Sequence, residues 1–265
     1  MVIYAGQGDV RRSMALLWRA PGSPEVRAPG PRPGLSVDLI VETAIAVADA
    51  EGMAGLSMRA VGERLGRTAM ALYTYVPNKN ELLDLMHDRA LAELPTDYDL
   101  SAGWRPAATA WADALWSFYL RHPWVLQVSQ ARPVLGPNEY VVLETLLRVL
   151  FETGLPSAAV RRLVGTLFHY VRGSAQTVAE SRHAPATTGV SDEDWWRARA
   201  SLLLEVAPDF AERFPMVARL EGESSPEPPA DADEPYLERE TRRTFEFGLS
   251  VILDGVEAAI ARANA

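Results

Sequence analysis

From Ser36 to the C-terminus, apolar residues recur every three or four positions, and no segment alternates apolar with polar. A chain patterned in this way buries one stripe of each helix and offers no strand a face to bury, so it folds as an all-α protein. Ile40, Ala44, Val47 and Ala48 form the first stripe, which Gly52 closes as a C-terminal cap. Ser57 caps a short second helix with Met58, Val61 and Leu65 facing inward, and Gly66 ends it. Thr68 caps a third, AMALYTYV, which Pro77 stops, and a fourth runs from about Asn78 to Leu94. Further helices are expected at 103–121, 123–131, 137–153, 156–182, 191–206 and 236–263, with a shorter one near 208–220.

With 48% hydrophobic residues in 265, the chain can build a real core. No run approaches the ~18 uncharged apolar residues of a membrane span, and MVIYAGQGDVRRSM lacks the order of a secretory signal. The expectation is a soluble, cytoplasmic protein. The absence of cysteine excludes disulfides, thiolate metal sites and thiol nucleophiles.

The net charge of −9 argues at first against a polyanion partner. Its distribution changes that. Residues 1–34 carry five arginines against Asp9 and Glu25 and are dense in Pro and Gly, which reads as a flexible basic arm. Most of the acidity lies beyond residue 95, where the Pro-rich run 221–235 is expected to be disordered. The segment between, 36–95, is still acidic, so any binding of nucleic acid there must rest on a few placed cations and helix ends, with a modest salt dependence. Of 26 basic residues, 25 are Arg and one is Lys79.

Two short helices joined by Leu65-Gly66-Arg67-Thr68 fit a helix-turn-helix, in which glycine permits the left-handed turn between crossed helices. The second helix then enters a DNA major groove with its N-terminal residues at base edges. Around this pair, Ala46–Gly52, Ser57, Ala60, Leu65, Gly66 and the block Leu72, Tyr73, Tyr75, Lys79, Leu82, Leu83 resemble the DNA-binding domain of the TetR family of one-component repressors. The resemblance implies a three-helix DNA-binding domain over 35–95. It places Arg59 on a guanine edge, which the guanidinium fork suits. Ala69, Met70 and Ala71 become the base-facing turn, apolar enough for thymine methyls but unable to make bidentate hydrogen bonds. Tyr73, Tyr75 and Lys79 reach phosphates, the start of the fourth helix adds backbone N–H groups, and Ser57, Thr68 and Thr74 complete the set. Arg27 and Arg32 of the arm would enter an adjacent minor groove. On an isolated helix, Arg59 and Arg64 would equally form a solvated face, and Met70 is more often packing than readout.

Residues 96–265 resemble the tetracycline-repressor-like C-terminal domain, through Trp104, His122-Pro123, Arg132-Pro133, Tyr140, Thr153-Gly154-Leu155, His169-Tyr170, Asp194-Trp195-Trp196 and Phe245–Leu249. That resemblance implies a ligand-binding and dimerisation domain, with a homodimer formed through helices near 156–182 and 236–263. Leu163, Leu167, Tyr170 and Val171 repeat on the first, and Phe245, Leu249, Ile252 and Val256 on the second. The positions that would grip tetracycline hold Trp111, Leu115 and Leu146, so tetracycline, a metal and any other cofactor are not expected. Those three, with Phe118, Phe168, His169 and Arg172, instead suggest a large apolar cavity with few polar groups, fit for a hydrophobic or aromatic effector. For any single aromatic, ordinary core packing is the competing explanation.

The partners expected are therefore a double-stranded DNA operator, a small effector and a second copy of the chain, with no membrane. No GxSxG, phosphate loop or HExxH occurs, and His87, His122, His169 and His183 lie in separate segments, which speaks against an enzyme. A helical ligand-binding or interaction protein without specific DNA binding is the remaining alternative, kept open by the apolar Ala69-Met70-Ala71.

Overall fold

The structure is a computed structural model that describes residues 3–19, 34–223 and 235–265. Among these residues are twelve α-helices and no strand, only an isolated bridge between Ile3 and Val128. The helices are α1 (Val10–Leu17), α2 (Val37–Gly55), α3 (Met58–Leu65), α4 (Ala69–Tyr73), α5 (Lys79–Leu91), α6 (Trp104–Arg121), α7 (Pro137–Phe151), α8 (Ser157–Thr188), α9 (Asp192–Val206), α10 (Phe210–Arg213), α11 (Pro215–Glu223) and α12 (Tyr236–Ala263).

The first four core helices, α2 to α5, follow the capping chemistry. The side chains of Ser36, Ser57, Thr68 and Asn78 each accept a backbone N–H in the first turn of the helix they precede, satisfying donors with no partner in the helix itself. Gly52 breaks α2 with φ of 68°, so the helix expected to end there does turn, and a final short turn leads to Leu56. Ile40, Ala44, Val47, Val61, Leu72, Val76, Leu82 and Met86 are buried together, and α2 packs on both α3 and α5. Each of these side chains other than Ala44 contributes roughly 1.5–3 kcal/mol of transfer free energy relative to exposure.

Helix α5 is buried on more than one side: it packs on α2, on α7 and on α1. Residues 1–176 and 251–265 accordingly form one compact unit, and 177–250 a second. Within the second, Ser191 caps α9, Asp192, Glu193 and Asp194 occupy its positive end, and Arg197 pairs with Glu193 and Asp194.

Three expectations are corrected. The helix expected at 123–131 is a five-residue 3-10 turn, Pro123–Gln127, because Arg172 draws off its last carbonyls and Val128 leaves to pair with Ile3. The element near 208–220 splits at Phe214-Pro215, since proline cannot continue a helix. The stretch read as a flexible arm is ordered over residues 3–19, where Ala5 and Leu17 are buried and α1 forms. The arginines of its Pro-rich part, Arg27 and Arg32, lie outside the described residues, as does most of the run expected to be disordered at 221–235.

Candidate nucleic-acid interface and ligand core

The turn between α3 and α4 is built by two glycines. Gly66 adopts φ of 63°, and its N–H returns to the carbonyls of Glu63 and Gly62. Gly62 lies buried against that turn: a Cβ placed there would sit 2.8 Å from the Arg67 carbonyl oxygen. Only a residue without a side chain lets α3 approach the start of α4 this closely. Gly66 was legible in the sequence; Gly62, inside an ordinary helical stripe, was missed.

Leu72 anchors α4 with 0% exposure, while Met70 is 73% exposed. Packing, the competing explanation for Met70, does not hold, because a five-residue helix anchored by Leu72 turns position 70 outward. Ala69, Ala71 and Tyr75 are half-buried, and Tyr73, Thr74 and Lys79 are exposed. Arg59 is exposed and donates from Nε to Glu63 at 2.7 Å, a solvated i,i+4 pair that leaves its guanidinium on the surface. Lys79 Nζ donates to the Leu56 carbonyl at 2.6 Å, so the lone lysine also fastens the start of α5 to the α2–α3 link. Ser57 and Thr68 spend their oxygens as caps, and their hydroxyl hydrogens are not used by those contacts.

The charge of this face resolves the acidity of residues 36–95. Over residues 57–80 there are four cations, Arg59, Arg64, Arg67 and Lys79, and one carboxylate, Glu63. Of the other acids in 36–95, Glu51 reaches back to this segment through Arg64. Glu81, Asp84 and Asp88 are buried along one side of α5, and Asp38 and Glu42 pair with Arg19 and Arg89.

The two halves of the first unit meet through polar contacts on α5 and on α2. His122, 3% exposed, faces Asp49 Oδ1 through Nδ1 at 2.8 Å and Glu93 Oε2 through Nε2 at 3.1 Å. Trp124 Nε1 donates to the same Asp49 oxygen at 2.8 Å. Burial raises the Glu93 carboxyl, but the hydrogen bonds from His122 and Arg121 outweigh it and hold the group below its ordinary range. Asp88 of α5 accepts the backbone N–H groups of Asn138 and Glu139 and caps α7 from outside; burial still leaves its carboxyl above the usual value. His122, at the junction of α6 and the 3-10 turn, therefore joins α2 to the segment after α5.

Of the expected ligand residues, Trp111, Leu115, Phe118 and Leu146 are fully buried. Trp111 meets Phe168 edge-to-face at 5.0 Å between ring centres. Phe118 stacks instead towards Tyr119 and His122. Arg172 is committed to structure, donating to the carbonyls of Val125, Leu126 and Val128 and lying 5.9 Å from the Tyr119 ring centre. His169 is exposed on α8, away from this core, because helical periodicity puts it on the side opposite the buried Leu167 and Val171; its expected place in the cavity is corrected. A cavity of about 630 Å³ opens at another place, where Leu17 and Trp18 meet α2, α5 and the start of α7. Among the described residues no grouping of His, Asp and Glu could hold a metal ion, and no helix is long and apolar enough to cross a membrane.

The stripes assigned to the dimer face are also corrected. Leu167, Val171, Phe245, Leu249 and Val256 are buried in a single copy of the chain, so these five serve its own core, while Leu163, Tyr170 and Ile252 are half-buried. The exposed large apolar residues of α12 are Tyr236 at its start and Phe247 and Val251, one turn apart, further along.

Comparison with known proteins agrees with this geometry. Residues 40–86 match bacterial regulatory proteins of the tetR family, and residues 98–260 match the tetracyclin repressor-like C-terminal domain. The chain is 39% identical over 259 residues to the HTH-type transcriptional repressor DrrR1 of Streptomyces coeruleorubidus, covering 97% of this chain and 89% of that one. An HTH-type transcriptional regulator of Saccharopolyspora erythraea is 32% identical over 152 residues, 57% of this chain and 64% of the relative. ActR from Streptomyces coelicolor, solved in complex with actinorhodin, superposes with a TM-score of 0.65 at 28% identity over 86% of this chain and 99% of its own. Its apo form gives 0.64 at 27% identity over the same shares. With both halves matched in order and a repressor similar along nearly its whole length, the chain belongs to the TetR family of transcriptional regulators.

Proposed function

We propose that the protein is a cytoplasmic, ligand-responsive transcriptional repressor that binds a palindromic operator as a dimer and releases it when a largely apolar molecule enters the C-terminal core. The observation that carries this reading is α4: a short helix anchored by Leu72 and turned outward at Met70, within a segment, 57–80, that holds four cations to one carboxylate. The contact set is Arg59, Ala69, Met70 and Ala71 towards bases, with Ser57, Thr68, Tyr73, Thr74, Tyr75 and Lys79 towards phosphates. Arg32, outside the described residues, remains a candidate for the adjacent minor groove.

For the effector, Trp111, Phe168, Leu115 and Leu146 supply an apolar wall, and the complex of ActR with actinorhodin is the precedent within the family. Because α5 packs on α7 and α7 on α6, a change in that wall has a packed route to the DNA-binding helices. Dimerisation would use the outward faces of α8 and α12, including Phe247 and Val251. The relatives are transcriptional regulators, and we read this chain as one rather than as an enzyme.

Fluorescence anisotropy with DNA from the protein's own promoter region tests the reading. Specific binding at physiological salt, weakened at least tenfold by Lys79→Ala combined with Arg59→Ala, is the expected result. Equal affinity for promoter and unrelated DNA would overturn it and favour a helical ligand-binding protein. Actinorhodin is the first effector probe to titrate into the complex.

A further inference from the structure

The segment that precedes the DNA-binding helices does not hang free. Its first described residue, Ile3, makes a parallel bridge to the C-terminal half: its N–H donates to the Gln127 carbonyl at 2.8 Å and its carbonyl accepts the Ser129 N–H at 2.7 Å. Tyr4 lies against the Arg132 guanidinium, 5.7 Å from ring centre to cation, and Ala5 is buried. The chain then turns onto α5. Asp84, 1% exposed, accepts the Gly6 N–H at 2.9 Å on one carboxylate oxygen and the Ser13 hydroxyl at 3.1 Å on the other. Both of these donors come from the N-terminal segment. Gly8 passes so close to Glu81 that a Cβ would fall 2.6 Å from its Cγ.

After α1 the segment returns to the C-terminal half and then to α2. Trp18 Nε1 donates to the Leu135 carbonyl at 3.0 Å, and its ring lies 6.1 Å from that of Tyr140 at the start of α7. Arg19 pairs with Asp38 in the first turn of α2. Leu135 is the one non-glycine residue with positive φ among the described residues, at 60°, a conformation that costs energy unless the surroundings fix it. Here Trp18 holds its carbonyl and Glu139 accepts its N–H.

We propose that residues 3–19 are a strap that crosses the junction three times and fixes α5 against the C-terminal half, with Asp84 as its positioning residue on α5. The argument is one of attachment. Fastened at 127–129, at Asp84, at Leu135 and at Asp38, the strap cannot follow one half without the other. Helix α5 is the element that any effector signal must move, because Lys79 at its N-terminal end grips the α2–α3 link while Asp88 near its other end caps α7. The strap therefore sets how far and how easily α5 swings. This inference deepens the proposed function, and rests on it for the word signal, but the coupling itself is a property of the free protein.

Hydrogen exchange measured by mass spectrometry on the full chain tests it without DNA or effector. Two variants are compared with the native chain: a deletion of residues 1–19, and Ser13→Ala with Trp18→Phe, which keeps the buried apolar surface should the deletion fail to fold. The expected result is an increase in exchange of about tenfold in α5 and in the first turn of α7, with α6 changing less than twofold. A uniform rise across α5, α6 and α7 would show only general loosening and overturn the proposal, as would unchanged exchange in α5. The absence of cysteine permits a second readout. Spin labels at Met70→Cys and Glu152→Cys, diluted with unlabelled subunits, should give a broader distance distribution in both variants; an unchanged distribution overturns the strap. Neither readout involves operator, so failure here leaves the repressor reading intact, and failure of DNA binding leaves the strap intact.

Discussion

His87 lies in the middle of α5 and has been asked to stay neutral. Its Nδ1 is shut away from solvent with no hydrogen-bond partner, and burial, reinforced by the Arg172 guanidinium, lowers its pKa from 6.5 to about 4. A base whose folded pKa is depressed binds fewer protons in the folded than in the unfolded chain between those values, so stability must fall as pH drops through that window. One pH unit of full difference is worth about 1.4 kcal/mol. At pH 5 the gap is nearly developed over one and a half units, which gives a loss of about 2 kcal/mol relative to pH 7.5, rising to about 3 kcal/mol near pH 4. For a chain of this size that is a fall in Tm of roughly 4–8 °C from this one ring. The buried carboxyls of Asp84, Asp88 and Glu139 act in the opposite direction. Burial raises each of them, so the folded chain holds their protons more tightly and gains stability as pH falls. They are common to both proteins in the comparison and cancel. The assay is thermal unfolding at pH 7.5 and pH 5 of the native chain and of His87→Gln, which cannot titrate. The native chain should lose several degrees more than the variant. A difference in the two losses below about 1 °C would refute the assignment of a histidine held neutral.

Other consequences are simpler to state. Met70→Ala should leave Tm unchanged, since the side chain is exposed, while weakening operator binding by about 1 kcal/mol, or roughly fivefold, read by anisotropy. Gly62→Ala should cost about 1–3 kcal/mol in denaturant unfolding and reduce operator affinity as well, because the added methyl strikes the Arg67 carbonyl. Phe247→Arg should shift the protein towards monomer in sedimentation velocity without lowering the Tm of the monomer; an unaltered dimer would place the interface elsewhere. The logarithm of operator affinity should fall with the logarithm of salt by a slope shallower than about −7 per dimer, the limit for four neutralised phosphates from each copy.

The sequence made legible whatever depends on local chemistry. Ser57 and Thr68 could be read as caps because a hydroxyl before an apolar stripe has one dominant use, and each accepts the expected N–H. Gly66 followed from the need for a left-handed turn. What escaped were relations between distant residues. Asp84 and Asp88 look like solvated positions of an amphipathic helix until α1 and α7 are placed over them. The stripes of α8 and α12 were correctly seen as apolar, but periodicity does not say whether a stripe faces its own core or a second copy. Residues 3–19 were misread for a different reason. The proline density that marks a loop belongs to residues 21–33, and averaging it over the whole arm hid Ile3, Leu17 and Trp18.

The recognition helix has a consequence for how selective such a regulator can be. Five residues long, with Ala69, Met70 and Ala71 at its leading turn, α4 presents methyl and thioether groups and no side-chain amide or guanidinium of its own. Methyl contacts discriminate a base less sharply than paired hydrogen bonds, so under the proposed contact set selection would pass to Arg59 and to the bending and groove width of the DNA between the half-sites. A repressor built in this way tolerates drift at the bases beneath α4 but is strict about spacing and flexibility. One protein can then govern several promoters whose shared feature is their shape, and new members can join the set without any change in the protein.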